Sequence, residues 1–164
     1  MTTAMTDQDP IRGTRSRLYT EDERARRDAT PWTLVQGILA PLQFLVFAVS
    51  LALVLRYMAT GDGYDAATIS ILIKTFVLLL IMVTGAIWEK VVFGQYLFAP
   101  AFYWEDVFSF VVIALHLAYV YALVTDALSP WGLMTLALAA YGAYVINAVQ
   151  FILKLRAARM DAAA

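Results

Sequence analysis

The sequence contains no cysteine and only one histidine, His116, among its 164 residues. The absence of cysteine excludes disulfide bonds, cysteine-ligated zinc, iron–sulfur clusters and thiolate catalysis, and a single histidine excludes a multi-histidine metal site within one subunit. Charged residues are also scarce, at 15%, whereas 62% of the residues are hydrophobic; an ordinary soluble domain has about 45–50%. A soluble domain of this size has too small an interior for so much apolar surface. The composition therefore predicts an integral membrane protein.

The apolar residues form four long runs separated by short polar loops. Two of the runs follow helix-start signals, Thr30-Pro31 and Ser129-Pro130, in which a capping side chain precedes a proline. Each run is long enough to cross a hydrocarbon core of about 30 Å. We therefore predict an all-α, four-helix transmembrane bundle within residues 30–159, with spans at about 32–57, 66–93, 101–126 and 130–156.

The two ends of the chain are predicted to be tails, at residues 1–29 and 160–164. The first tail is expected to carry a short amphipathic helix, because Thr20 to Glu23 match a capping box. Six arginines lie in the first thirty residues, and only Arg56 lies near the opposite loops. The positive-inside rule then places both termini in the cytoplasm. We expect Arg24, Arg26 and Arg27 to contact lipid headgroups and expect no nucleic acid partner.

A few polar residues interrupt the first two spans. Gln36, Gln43 and Ser50 are seven residues apart and lie on one stripe of the first helix, which favours hydrogen bonds to neighbouring helices over ligand contact. We expect Asp65 to cap the second span. Lys74, within that span, is expected to extend toward the membrane interface.

The polar side chains in or near the spans lie mostly in the predicted cytoplasmic half, which indicates a polar cavity open to that side. They are Gln36, Gln43, Glu89, Glu105, Asp106, Asn147 and Gln150. Three of them belong to the corner, defined here as Trp88–Asp106 (WEKVVFGQYLFAPAFYWED), which also holds a lysine and many aromatic residues. The corner joins the second and third spans and is where we expect the chemistry.

The third span has one polar face. Glu105, Ser109, His116 and Tyr119 follow the 3.6-residue period and share that face. At about 1.5 Å per residue, Glu105 and His116 lie roughly 16 Å apart along the axis. An ionisable group at the depth of His116 is a candidate for ligand binding or proton transfer, although a structural hydrogen bond is the alternative.

The residues alone leave two function classes open. One is a membrane enzyme that acts on a planar lipophilic substrate with carboxylates as acid and base. The other is a noncatalytic pigment-binding or scaffold subunit in which His116 ligates magnesium or haem iron. In the second case the corner acids would complement the helix dipole and the aromatic residues would form an interfacial belt. A transporter is a weaker third class, since no helix breaks occur at matched positions.

Three segments, taken together, resemble one known family. They are RDATPWTLVQGILAPLQFLVF (27–47), IWEKVVFGQYLFAPAFYWEDVFS (87–109) and YVINAVQFILKLRAAR (144–159). They closely resemble the 3-vinyl bacteriochlorophyllide hydratase family, and the similarity covers Leu18 to Arg159. The resemblance implies that water adds to the 3-vinyl group of chlorophyllide a or 3-vinyl bacteriochlorophyllide a, which gives a 3-(1-hydroxyethyl) group during bacteriochlorophyll a biosynthesis. It also implies a bacterial inner, photosynthetic membrane and no cofactor or metal of the protein's own.

Hydration of a vinyl arene requires a proton donor, a stabilised cation and a positioned water. We expect Glu105 or Glu89 to donate the proton, and Asp106 or the remaining glutamate to position the water. The residues expected to bind the substrate are Trp88, Tyr96, Phe102 and Trp104 by stacking, His116 as a ligand to the substrate magnesium, Lys90 at a propionate, and Gln43, Asn147 and Gln150 in the cavity. The expected partners are the tetrapyrrole, the lipid bilayer, and a second copy of the chain or neighbouring enzymes of the pathway.

Overall fold

The computed structural model describes residues 18–163, so most of the predicted N-terminal tail, residues 1–17, lies outside the described residues. The described part forms five α-helices: α1 (Glu21–Ala29), α2 (Pro31–Thr60), α3 (Tyr64–Phe93), α4 (Tyr103–Val124) and α5 (Pro130–Ala163). Helices α2 to α5 each contain a segment long and apolar enough to cross a membrane. This confirms an all-helical protein with four candidate spans, to which α1 adds a short fifth helix. Helix α5 continues into the stretch predicted as a C-terminal tail.

Side-chain caps begin three of the helices as the sequence predicts. Thr20 and Glu23 make both hydrogen bonds of a capping box at the start of α1. Thr30 accepts a backbone N–H at the start of α2, with Pro31 in the first turn. The Ser129 hydroxyl likewise accepts a backbone N–H at the start of α5. Each cap satisfies a donor that the helix itself leaves free.

Helix α3 begins earlier than predicted. Gly63 has φ 89° and precedes the first helical residue, Tyr64, without a side-chain cap. The prediction that Asp65 caps this helix is therefore wrong, because the left-handed glycine turns the chain two residues before it. Asp65 instead lies in the first turn, where the helix dipole still favours its negative charge.

The helices form a bundle in which α2 packs mainly against α3 and α4 packs mainly against α5. Polar side chains link the helices inside the bundle. The Gln36 amide donates to the Thr84 hydroxyl at 2.8 Å, and the Ser50 hydroxyl lies 2.5 Å from that of Tyr141. These contacts confirm interhelical hydrogen bonding for two of the three residues on the polar stripe of α2.

Lys74 points into the bundle rather than toward the membrane interface. Its side chain is fully buried, and its Nζ lies 3.7 Å from the centroid of the Tyr144 ring. The expectation that it reaches the interface is therefore wrong. Lys74 lies on the same face of α3 as Ile71 and Leu78, both of them buried core residues, and this face directs its side chain inward.

The end of α3 and the short helix α1 together shape the corner. Helix α3 ends at Gly94, whose φ of 85° is left-handed and turns the chain out of the helix. The Arg26 Nε on α1 donates to the backbone oxygen of Val92 at 2.8 Å. Helix α1 is thereby fixed against the last turn of α3. The loop from Gly94 to Phe102 then leads into α4.

Candidate active site

Three carboxylates, Glu89, Glu105 and Asp106, are buried together at the corner. Glu89 comes from the last turns of α3, and the other two come from the first turn of α4. The chain reverses direction between these helices, so residues distant in sequence meet at one end of the bundle. The structure thus brings together all three acids that the sequence indicates as catalytic candidates.

Two of these carboxylates bind the backbone of the corner loop. Glu89 Oε2 accepts the N–H of Ala99 at 3.2 Å, and Asp106 Oδ2 accepts the N–H of Phe98 at 2.6 Å. Phe98 has φ 60°, a left-handed conformation that is uncommon for an aromatic residue. The Asp106 bond therefore stabilises a strained loop conformation directly beside the carboxylates.

The Glu89 and Asp106 carboxyl groups lie close to each other, because they bind the N–H groups of the adjacent residues Ala99 and Phe98. A carboxylate can only accept hydrogen bonds, so a direct contact between these two groups is favourable when one of them carries a proton. Two unprotonated carboxylates at this distance would repel each other. The geometry is therefore that of an acid pair that can share a proton.

Glu105 has a different partner. The Lys154 Nζ on α5 lies 2.9 Å from Glu105 Oε2, and it also lies 5.4 Å from the centroid of the Phe102 ring. One turn further along α4, the Ser109 hydroxyl accepts the Asn147 amide at 2.7 Å. Glu105 is thus a carboxylate paired with a cation, in contrast to the neighbouring acid pair.

Loss of the Lys154 cation is expected to destabilise the bundle. We expect Lys154→Met to lower the free energy of unfolding by about 1–3 kcal/mol, because the Glu105 carboxylate then stays buried without its partner. SDS titration of the purified protein followed by circular dichroism measures this change. Lys154→Arg, which keeps a cation, is the matched control and is expected to retain most of the stability. Wild-type stability in Lys154→Met would contradict the assignment of this ion pair.

Three buried amide oxygens on α2 and α5 have no hydrogen-bond partner within residues 18–163. They are Gln43 Oε1, Asn147 Oδ1 and Gln150 Oε1. All three residues are predicted substrate-binding residues. Because amide oxygens accept hydrogen bonds, a hydrogen-bond donor from a ligand or a water fits this region.

The predicted aromatic binding residues lie in two different places. Trp88 and Phe102 pack edge-to-face at 5.7 Å within a cluster that includes Phe93 and Tyr19. Burial in this cluster raises the pKa of the Tyr19 hydroxyl, although nearby Arg27 opposes the shift. These rings contact one another and form one wall of the corner, so they contribute packing as well as a surface for a ligand.

The other two predicted aromatic residues face outward. Tyr96 and Trp104 are 60% and 65% exposed. Exposed Lys90 lies beside Tyr96, with its Nζ 5.4 Å from the ring centroid, and it donates to the backbone oxygen of Gly94 at 2.7 Å. These three side chains are not brought against the buried carboxylates; they lie on the exposed surface of the corner, here called its mouth.

Sequence reasoning missed three residues at the site, Phe98, Phe110 and Lys154. The rings of Phe98 and Phe110 stack at 5.5 Å with an interplanar angle of 13°, and both are partly exposed. Their stacked rings offer a flat aromatic surface next to Asp106. Lys154 could have been found as the basic residue one turn beyond Gln150, on the face of α5 that carries the polar residues.

His116 lies away from the corner, in the interior of the bundle. It is 1% exposed, and its Nδ1 lies 2.8 Å from the backbone oxygen of Val112. Its ring is 5.9 Å from that of Tyr141, within the main hydrophobic core. A macrocycle would reach His116 only if the helices separated. Among residues 18–163, no group of three or more histidine, aspartate or glutamate side chains is placed to hold a metal ion.

Comparisons with known proteins agree on one family. A family model described as 2-vinyl bacteriochlorophyllide hydratase matches residues 19–157. The chain is 77% identical over 146 residues to the 2-vinyl bacteriochlorophyllide hydratase of Cereibacter sphaeroides, which covers 88% of this chain and 90% of that protein. It is 71% identical over 155 residues to the protein of the same name from Rhodobacter capsulatus, and this match covers 94% of this chain and 90% of that protein. No solved structure matches the chain.

Proposed function

The chain belongs to the 2-vinyl bacteriochlorophyllide hydratase family, and from this we propose that it adds water to the vinyl group of chlorophyllide a or 3-vinyl bacteriochlorophyllide a. The vinyl group that the family description numbers 2 is the group numbered 3 in the substrate names used here. The chain is an enzyme of the hydro-lyase class that acts in bacteriochlorophyll synthesis, and its proposed product carries a 3-(1-hydroxyethyl) group. The observation that carries the proposal is the group of three buried carboxylates at the corner.

The Glu89–Asp106 pair is the proposed proton donor. The two carboxyl groups are buried and bind adjacent N–H groups of the corner loop, and a shared proton would remove their mutual repulsion. In the first step this proton moves to the terminal carbon of the vinyl group. A C–H bond forms there as the π bond breaks, and positive charge develops on the carbon next to the macrocycle. The macrocycle delocalises that charge, and the pair, now without its proton, stabilises it electrostatically.

Glu105 is the proposed base. Its Oε2 lies 2.9 Å from the Lys154 Nζ, so it has a partner of its own and is separate from the pair that donates the proton. A water whose hydrogens are held by Glu105 and by the free amide oxygen of Asn147 keeps a lone pair for attack on the cation. The new C–O bond uses that lone pair, and the released proton passes to Glu105. Return of this proton to the acid pair completes the cycle.

The macrocycle is proposed to enter from the lipid and stack on the exposed surface of Phe98 and Phe110, with Trp104 beside it. Half-buried Trp88 and buried Phe102, which pack edge-to-face, are proposed to form the opposite wall of the corner. The substrate propionate would then extend past the mouth to Lys90 or to an N-terminal arginine. The proposed binding mode does not include magnesium ligation by His116, because its Nε2 is enclosed in the core.

The proposed location is the inner membrane of a phototrophic bacterium, with the corner and both termini on the cytoplasmic side. The four apolar helices support a membrane protein. The basic residues at the two ends of the chain and at the corner support this orientation through the positive-inside rule.

The experiment that tests the function follows the oxygen of the added water. Membranes that contain the protein are incubated with chlorophyllide a in water enriched in heavy oxygen, and the pigment is analysed by mass spectrometry. We expect a product that has gained one labelled water in these membranes and none in membranes that lack the protein. Pigment that binds but keeps its mass would overturn the hydratase proposal and favour a noncatalytic pigment carrier.

A further inference from the structure

A second group of polar side chains, outside the proposed active site, is buried in the bundle interior. It consists of Lys74 on α3 and His116 on α4, which are 0% and 1% exposed. The Lys74 Nζ and the His116 Nε2 have no hydrogen-bond partner in the part of the chain that the structure describes. Buried polar atoms in proteins are nearly always paired with protein or with ordered water. Two unpaired atoms in one region therefore indicate a bound ligand.

All four long helices surround this group. The Lys74 Nζ lies 3.7 Å from the centroid of the Tyr144 ring, and the His116 ring lies 5.9 Å from that of Tyr141. The Tyr141 hydroxyl in turn lies 2.5 Å from that of Ser50 on α2. The group is therefore enclosed by protein on every side and is not part of the lipid-facing surface.

The hydrogen-bond roles of the two ionisable side chains restrict what can bind between them. A backbone carbonyl only accepts, so His116 Nδ1 carries the hydrogen that bonds Val112, and Nε2 is left as an acceptor. A lysine ammonium only donates. A ligand that joins them must accept from Lys74 and donate to His116. Chloride cannot donate a hydrogen bond to His116 Nε2, and no group of three or more histidine, aspartate or glutamate side chains among residues 18–163 is placed to hold a metal ion. Water does both.

We propose that Lys74 and His116 form a water-binding site inside the bundle, and that this site supplies the water consumed at the corner. The path between the two is marked by the unpaired amide oxygens of Gln43 and Asn147, which lie between the helices and accept hydrogen bonds. The supply role rests on the proposed hydration reaction, whereas water binding does not. Bulk water cannot reach a lipid-enclosed interior freely, so an internal store would keep the site hydrated while the macrocycle covers the mouth.

Radiolytic footprinting tests the site without any need for turnover. X-ray pulses convert bound water to hydroxyl radicals that oxidise the side chains in contact with it, and mass spectrometry locates the products. In the full-length protein in lipid nanodiscs we expect oxidation of Tyr141 and Tyr144. Phe76, two residues after Lys74 on the lipid-facing side of α3 and 67% exposed, is expected to remain unoxidised. Absence of oxidation at both tyrosines in the wild type would overturn the site.

Variants separate the binding of water from its supply. Lys74→Leu and His116→Phe are each expected to lower oxidation of Tyr144 several-fold, whereas the matched control Phe76→Leu is expected to leave it unchanged. If this site supplies the water for hydration, Lys74→Leu is expected to lower kcat by about tenfold and to leave KM unchanged. A factor of ten corresponds to the loss of about one hydrogen bond that holds the water. Wild-type kcat with lost oxidation would overturn the supply role. Oxidation without any hydration by the wild type would instead refute the proposed function and leave the water site in place.

Discussion

Replacement of Glu89 by glutamine is expected to lower kcat for vinyl hydration by about 10³-fold, within the range that general acid catalysis contributes. The glutamine amide oxygen can still accept the N–H of Ala99, which Glu89 binds at 3.2 Å. The loop conformation should therefore persist, and KM should change little. What is lost is the acidic proton that the Glu89–Asp106 pair holds next to the substrate.

Single-turnover hydration, followed by the change in pigment absorbance, measures this effect. Glu21→Gln is the matched control, because Glu21 is an exposed acid in the first turn of α1 and undergoes the same chemical change outside the buried group of carboxylates. It is expected to keep wild-type kcat and KM. If Glu89→Gln hydrates at the wild-type rate, the acid pair is not the proton donor, and Glu105 becomes the candidate for that role.

The four long helices could be predicted from sequence because lipid imposes simple rules. An apolar run of sufficient length must be helical, since no other local structure satisfies its backbone in hydrocarbon. The caps at Thr30 and Ser129 depend only on neighbouring residues, so they too could be predicted. The polar face of α4, from Glu105 to Tyr119, followed from the helical period alone, and the structure buries all four of the polar residues assigned to it.

The details of the site required the tertiary structure. The contact of Glu89 with Asp106 depends on how the corner loop folds, and that loop contains Phe98 in a left-handed conformation that no sequence rule assigns to phenylalanine. Lys74 could be placed at the interface or in the interior, depending on how α3 is rotated. Only the packing of α3 on its neighbours decides between these positions, and it places Lys74 beside Tyr144.

Two substitutions of Asp106 are expected to separate its chemical role from its role in holding the corner loop. Asp106→Asn keeps an oxygen that can accept the N–H of Phe98, a bond of 2.6 Å in the structure, but it removes the shared proton. We expect kcat to fall by about 10²-fold with KM near wild type. Asp106→Ala removes both functions. It is expected to show the same fall in kcat together with a KM raised by about tenfold, because Phe98 is released from its stacking position on Phe110.

A further substitution tests that reasoning. A left-handed conformation costs a nonglycine residue about 1–3 kcal/mol, so Phe98→Gly removes this strain and also removes the proposed stacking surface. We expect Phe98→Gly to fold at least as stably as the wild type, to keep kcat near wild type and to raise KM, as judged by thermal unfolding and by steady-state kinetics. A rise in KM without a loss of stability fits a residue that positions the substrate. Unchanged KM in Phe98→Gly would show instead that the Asp106 bond shapes the loop only for the acid pair, and that the macrocycle binds elsewhere.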